Sequence, residues 1–137
     1  MDANPIKVLL VHDDDLLAEL VRITLKSAGG FEWLGQARTA EAAAQLASHH
    51  APDVVLIDIC LAGEDCFVVL EQLQRAHREA RMMIFSECLS DHLIARALLA
   101  GASGCISPHR FGPTMVNAIR AAAWRDPNRV SASQCRA

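Results

Sequence analysis

The chain has no tyrosine, only two lysines (Lys7 and Lys26), no basic surplus and no long apolar run. Its apolar runs fall far short of the roughly 20 residues that a membrane-spanning helix needs, so no membrane partner is expected. A formal net charge of -3 leaves no electrostatic footprint for nucleic acid, and direct DNA contact is not expected. The opening Met1-Asp2-Ala3-Asn4-Pro5 lacks the basic and apolar regions of a signal peptide. The five cysteines are odd in number and irregularly spaced. They make neither a disulfide framework nor a zinc pattern, and a reduced, cytoplasmic compartment is expected. What the chain does have is 137 residues, 52% of them hydrophobic, enough for one domain with a packed core.

The strongest local signal is Val54-Val55-Leu56-Ile57-Asp58, four apolar residues running into a carboxylate. Such a run predicts a strand buried on both faces of a parallel sheet. In open α/β sheets, ligands bind beyond the carboxyl ends of the strands. Asp58 is therefore expected at the mouth of a site. Val8-Leu9-Leu10-Val11 repeats the pattern and ends in His12-Asp13-Asp14-Asp15.

The remaining punctuation predicts a βα alternation. The first strand is Ile6 to Val11, followed by a helix with Leu17, Leu20, Val21, Leu25 and Ala28 on one face, stopped by Gly29-Gly30. A second strand falls within Phe31 to Ala37, and Thr39 caps an alanine-rich helix running to about His49. His49-His50 is expected at the surface. Pro52-Asp53 leads into the third strand, and the helix after it carries Phe67, Val68, Leu70 and Leu73. A fourth strand spans Met82 to Ser86. Ser90 caps a helix from Asp91 to Ala100, and Gly101 ends it. Cys105-Ile106 is a short fifth strand, and Pro113 opens a last helix that fades near Arg125. This order predicts an α/β, doubly wound, five-stranded parallel sheet with five helices. The domain is expected over residues 1–126, with a polar tail over 127–137.

If strands one and three are neighbours, Asp13 and Asp58 converge at the sheet's switch point. Carboxylates so arranged suit Mg²⁺, which needs only one or two of them. A carboxylate there can also attack a phosphoryl group. Ser86, ending the fourth strand, could donate to a phosphoryl oxygen on Asp58. Asp14 or Asp15 is better explained as a helix cap.

These stretches resemble the receiver domains of two-component response regulators. The resemblance is carried by Lys7 to Asp14, Pro52 to Asp65, Ile84-Phe85-Ser86 and Ala100-Gly101-Ala102-Ser103-Gly104, and covers about residues 6 to 125. It lies nearest to receivers that precede a LuxR/NarL-type helix-turn-helix domain. It implies a flavodoxin-like sheet in the order 2-1-3-4-5 and phosphate accepted on Asp58 from a histidine kinase or phosphotransfer protein. It also implies Mg²⁺ held by Asp13, Asp58 and the backbone carbonyl of Cys60, a phosphoryl contact from Ser86, and pairing of two copies through the first and last helices. In the last helix Met115, Val116, Ile119, Ala122 and Ala123 make a nearly continuous apolar face, part of which must pack on the sheet and the surplus of which would contribute to that pairing.

Several family features are missing. His12 stands where the first of two acids is usual, unless a one-residue shift makes Asp13-Asp14 the pair. It removes a negative charge, and imidazole suits Zn²⁺ better than Mg²⁺, so weak Mg²⁺ binding is expected. Pro108, or Ser107 with one deletion, falls at the place of the family's lysine, and only Arg110 could bring a cation nearby. Cys105 takes the place of the aromatic switch residue. Ala62 and Cys66 replace a common proline and glycine. Cys60 and Cys88 flank the expected site, where a small-hydrophobe role competes with a redox one. The expected function is a phosphate-accepting switch and not a turnover enzyme. The alternatives are a pseudo-receiver that acts as a phosphorylation-independent interaction module, and a small metal-dependent phosphohydrolase.

Overall fold

A computed structural model describes residues 4–58, 65–86, 90–107 and 112–124 of the chain. Five strands alternate with five helices there: β1 (Ile6–Val11), α1 (Asp15–Ala28), β2 (Phe31–Ala37), α2 (Ala40–His50), β3 (Val54–Asp58), α3 (Cys66–Ala76), β4 (Arg81–Phe85), α4 (Asp91–Ala100), β5 (Gly104–Ile106) and α5 (Pro113–Ala123). The strands form one parallel sheet ordered β2-β1-β3-β4-β5, the architecture expected. The order reverses between β1 and β3, so the crossovers leave on opposite faces there and open a crevice.

The three inner strands are apolar on both sides because both sides are covered. Leu9, Val11, Val55, Ile57, Met82 and Ile84 pack with Ala43, Ala47, Leu70, Leu73 and Ala97 of α2, α3 and α4. Val8, Leu10, Val54, Leu56, Met83 and Phe85 pack with Val21, Leu25, Met115 and Ile119 of α1 and α5. Each of these large side chains contributes about 1.5–3 kcal/mol by leaving water. β1 and β3 are in register from Val8↔Val54 to Val11↔Ile57, and β3 and β4 from Val54↔Arg81 to Asp58↔Phe85.

Boundaries and faces differ from the sequence reading in a few places. β4 ends at Phe85, which leaves Ser86 just beyond the ladder, and β5 starts one residue early at Gly104. On α1 the buried residues are Ala18, Val21 and Leu25, whereas Leu20 and Ala28 are exposed. At 100° per residue Leu20 lies well off the arc centred between Ala18 and Val21. On α5, Met115, Val116 and Ile119 are the part of the apolar face that packs on the sheet, whereas Ala122 and Ala123 are partly buried. His49 and His50 are exposed, as expected. Cys60, Cys88, Pro108, His109, Arg110 and the tail lie outside the described residues.

Caps set where the helices begin. Asp14 accepts the N–H groups of Leu16 (3.0 Å) and Leu17 (3.3 Å). Thr39 accepts from Ala42 at 3.1 Å and Ser90 from Leu93 at 3.2 Å. Gly29 (φ 80°) and Gly101 (φ 116°) end α1 and α4 in backbone that favours glycine. Asp15, in the first turn of α1, pairs at the surface with Arg38. Asp14→Ala should therefore cost about 0.5–2 kcal/mol. Asp15→Ala should cost under about 1 kcal/mol. Urea unfolding midpoints of the two variants test this ordering.

Candidate functional site at the carboxyl edge of the sheet

The register of β1 on β3 builds the centre of the site. One residue beyond the last pair, Val11↔Ile57, come His12 and Asp58. They share the strand parity of Leu10 and Leu56, so their side chains project to the same face. His12 Nε2 accordingly lies 3.3 Å from Asp58 Oδ2. Phe85, paired with Asp58 across β3 and β4, belongs to the same row. Its ring meets the imidazole edge to face, 6.2 Å between centroids at 69°.

Both polar groups of the pair are largely buried, His12 at 9% and Asp58 at 6% relative exposure. A buried carboxylate without partners would be costly. Among the described residues no buried side-chain nitrogen or oxygen lacks a partner.

Asp13 is more exposed and its carboxylate lies 3.8 Å from His12 Nδ1. One ligand atom from each of His12, Asp13 and Asp58 falls within 4.8 Å of the others. Two carboxylate oxygens so placed fit a hard cation such as Mg²⁺. The imidazole does not fit as well, because Nδ1 already accepts the Asp14 N–H at 3.0 Å. Asp14 itself is committed to capping α1. The histidine and Asp13, not Asp13 and Asp14, therefore stand with Asp58.

The loop is braced from β2 by residues that sequence reasoning did not single out. Gln36 Nε2 donates to the His12 carbonyl at 2.9 Å, and Arg38 donates to the Asp13 carbonyl at 3.1 Å. The His12 N–H donates to Ala37 O at 2.9 Å. Two polar residues, Gln36 in β2 and Arg38 just past it, were the available signal, but their targets depend on β2 lying beside β1.

Ser86 is buried at 3% exposure, and its N–H donates to Ile106 O at 3.0 Å. It follows Phe85, the pairing partner of Asp58, and so stands at the same sheet edge. Cys105, opposite Ile84 in β5, is half-buried, and burial pushes its thiol pKa up. It is therefore a poor thiolate at neutral pH. Cys66 is buried at the start of α3. Neither lysine is at this edge. Lys7 lies at the opposite end of β1, its Nζ donating to His50 O at 3.5 Å, and Lys26 is in the last turn of α1.

Comparison with known proteins agrees with this fold. The family model of the response regulator receiver domain matches residues 8–120. The response regulator GacA of Pseudomonas syringae pv. syringae is 32% identical over 115 residues, 84% of this chain and 54% of the relative. The response regulator UvrY of Escherichia coli K12 is 29% identical over 115 residues, again 84% of this chain and 53% of the relative. The chain thus spans about half the length of these curated relatives. The signal receiver domain of the putative response regulator NarL from Mycobacterium tuberculosis superposes with a TM-score of 0.81 at 26% identity, covering 88% of this chain and 98% of that one. A LuxR-family two-component response regulator from Aurantimonas gives 0.78 at 25% identity, over 88% of this chain and 86% of that one. With the sheet order, the buried strand-end carboxylate and the family match in agreement, the chain belongs to the response regulator receiver domain family.

Proposed function

We propose that Asp58 accepts a phosphoryl group from a histidine kinase or phosphotransfer protein, as one step of a two-component relay in the cytoplasm. The observation that carries this reading is a buried carboxylate at the end of β3, facing the switch-point crevice beside Asp13. In the transfer, an Asp58 oxygen attacks phosphorus, the bond between phosphorus and the donor's nitrogen breaks, and that nitrogen keeps the electron pair. The product is an acyl phosphate on Asp58, so the protein works as a switch and not as a turnover catalyst. Asp13 and Asp58, with the Cys60 carbonyl, would hold Mg²⁺, which when bound neutralises charge on the phosphoryl oxygens. Ser86 would donate to one of those oxygens. DNA contact would belong to another domain or protein.

A second reading has its own support. Lys7 and Lys26 are the chain's only lysines, and both lie away from the carboxyl edge. The family's lysine therefore has no equivalent, and Cys105 is too small to serve as a rotating aromatic. Without that lysine, the phosphoryl group forgoes a charge-assisted hydrogen bond of roughly 1.5–3 kcal/mol. That is comparable to a whole coupling energy of about 1–3 kcal/mol. The chain would then signal through a fixed surface, with little change on phosphorylation. An exposed apolar row on α1, Leu16 (71%), Leu20 (43%) and Ile23 (47%), offers such a surface and supports pairing of two copies there.

Incubation with acetyl phosphate and Mg²⁺ should add one phosphoryl mass to the intact protein, and Asp58→Asn should abolish it. Labelling that persists in Asp58→Asn would move the acceptor elsewhere. On the second reading beryllofluoride, which mimics a phosphoryl group on aspartate, should shift amide signals near Asp58 and leave α4 and β5 almost unchanged. Broad shifts across α4 and β5 would exclude the phosphate-independent reading. Light scattering at high concentration should show a dimer that Leu20→Glu returns to monomer.

A further inference from the structure

We infer that His12 is a positioning residue for Asp58, held as the Nε2–H tautomer. In that state it is a donor that competes with a divalent cation for Asp58 Oδ2 and not a ligand to the cation. The inference rests on the reading of Asp58 as the acceptor and says how this chain handles that carboxylate with a histidine at the place where the family resemblance implies a second acid.

The ring's protonation is set at Nδ1. This nitrogen accepts the Asp14 N–H at 3.0 Å, which commits its lone pair. A neutral imidazole carries one proton, which must then sit on Nε2. Nε2 lies 3.3 Å from Asp58 Oδ2, so the N–H faces the carboxylate. At that distance the contact is looser than a tight hydrogen bond. It still sets a positive dipole against a largely buried anion.

Ligation would require a bare Nε2. Moving the proton to Nδ1 would set its N–H against the Asp14 N–H, two donors 3.0 Å apart. The ring has little freedom to turn away. The His12 carbonyl accepts from Gln36 and its N–H donates to Ala37, so the backbone is held on the β2 side. Phe85 meets one edge of the ring. Asp14 cannot retreat either, because its carboxylate caps α1. The helix entry, the tautomer and the orientation toward Asp58 are therefore one coupled arrangement. A cation that takes Oδ2 must displace the N–H from it, whereas a carboxylate at position 12 would add a ligand.

The test is two-bond ¹H–¹⁵N NMR of the histidine rings in the full chain, with and without MgCl₂ and with no phosphodonor present. The expected result is a protonated Nε2 and an unprotonated Nδ1 at His12, unchanged in saturating Mg²⁺. A proton on Nδ1, with or without one on Nε2, would overturn the inference. So would a bare Nε2 that shifts with Mg²⁺. Two variants then probe the competition. His12→Gln keeps an N–H near the Nε2 position, and His12→Asn keeps only a group near Nδ1. Mg²⁺, followed by the Asp58 carboxyl ¹³C shift, should bind His12→Asn at least about threefold more tightly than His12→Gln. Equal affinities, the reverse order or no binding to His12→Asn would overturn it. Neither readout needs phosphoryl transfer. Failure of acetyl phosphate labelling would therefore remove the acceptor assignment and leave the His12 result standing.

Discussion

The pairing of β1 with β3 is the constraint on which this site depends. Parallel strands four residues in register, Val8↔Val54 through Val11↔Ile57, leave no choice about what comes next. His12 and Asp58 emerge side by side on one face, with Phe85 next in the row. A slip of one residue would send every side chain of β1 to the other face and exchange the two halves of the core. Both halves are apolar and buried, so what opposes the slip is not a contrast of polarity but the close packing of differently shaped side chains on the two faces. The chemistry at the edge is thus held in place by packing some distance below it.

A second layer of constraint comes from the entry to α1. Asp14 commits its carboxylate to the helix N-terminus and its N–H to the His12 ring. Gln36 of β2 and Arg38 just after it donate to the consecutive carbonyls of His12 and Asp13. The loop between β1 and α1 therefore has few free backbone groups, and His12 inherits its tautomer from a capping arrangement. Asp13 is the least confined member of the group and the one most open to an incoming cation. The difference between His12 and a carboxylate at that place is a change of sign in what Asp58 meets: an N–H dipole in place of a negative charge.

Much of the fold was legible because the inner strands are short, continuous apolar runs bounded by Gly, Pro, Asp and Ser. Thr39 and Ser90 act as the N-caps expected of them, and Gly29 and Gly101 end their helices. Ser86 directly follows an apolar run and so reads as part of the fourth strand, but the ladder to β3 ends at Phe85. Leu20 reads as part of the buried face of α1 because apolar spacing cannot separate a core stripe from an adjacent exposed one. The apolar face of α5 was visible in the sequence. That the sheet takes part of it was expected; which of its residues are taken, and that α1 carries an exposed apolar row, was not.

The sequence by itself determined the alternation of strands and helices, the burial of the inner strands and the arrival of carboxylates at one sheet edge. Those properties follow from periodicity, caps and the cost of exposing apolar runs, all of which are local. It also determined what is absent, since with only Lys7 and Lys26 no arrangement could bring the family's lysine to the loop after β5. Only the tertiary structure decided between His12-Asp13 and Asp13-Asp14 as the residues beside Asp58. That choice turns on register between strands more than forty residues apart and on which aspartate the helix takes as its cap. The same holds for Gln36, Arg38 and Phe85. Their roles come from strand order and cross-strand parity, which no stretch of sequence contains on its own.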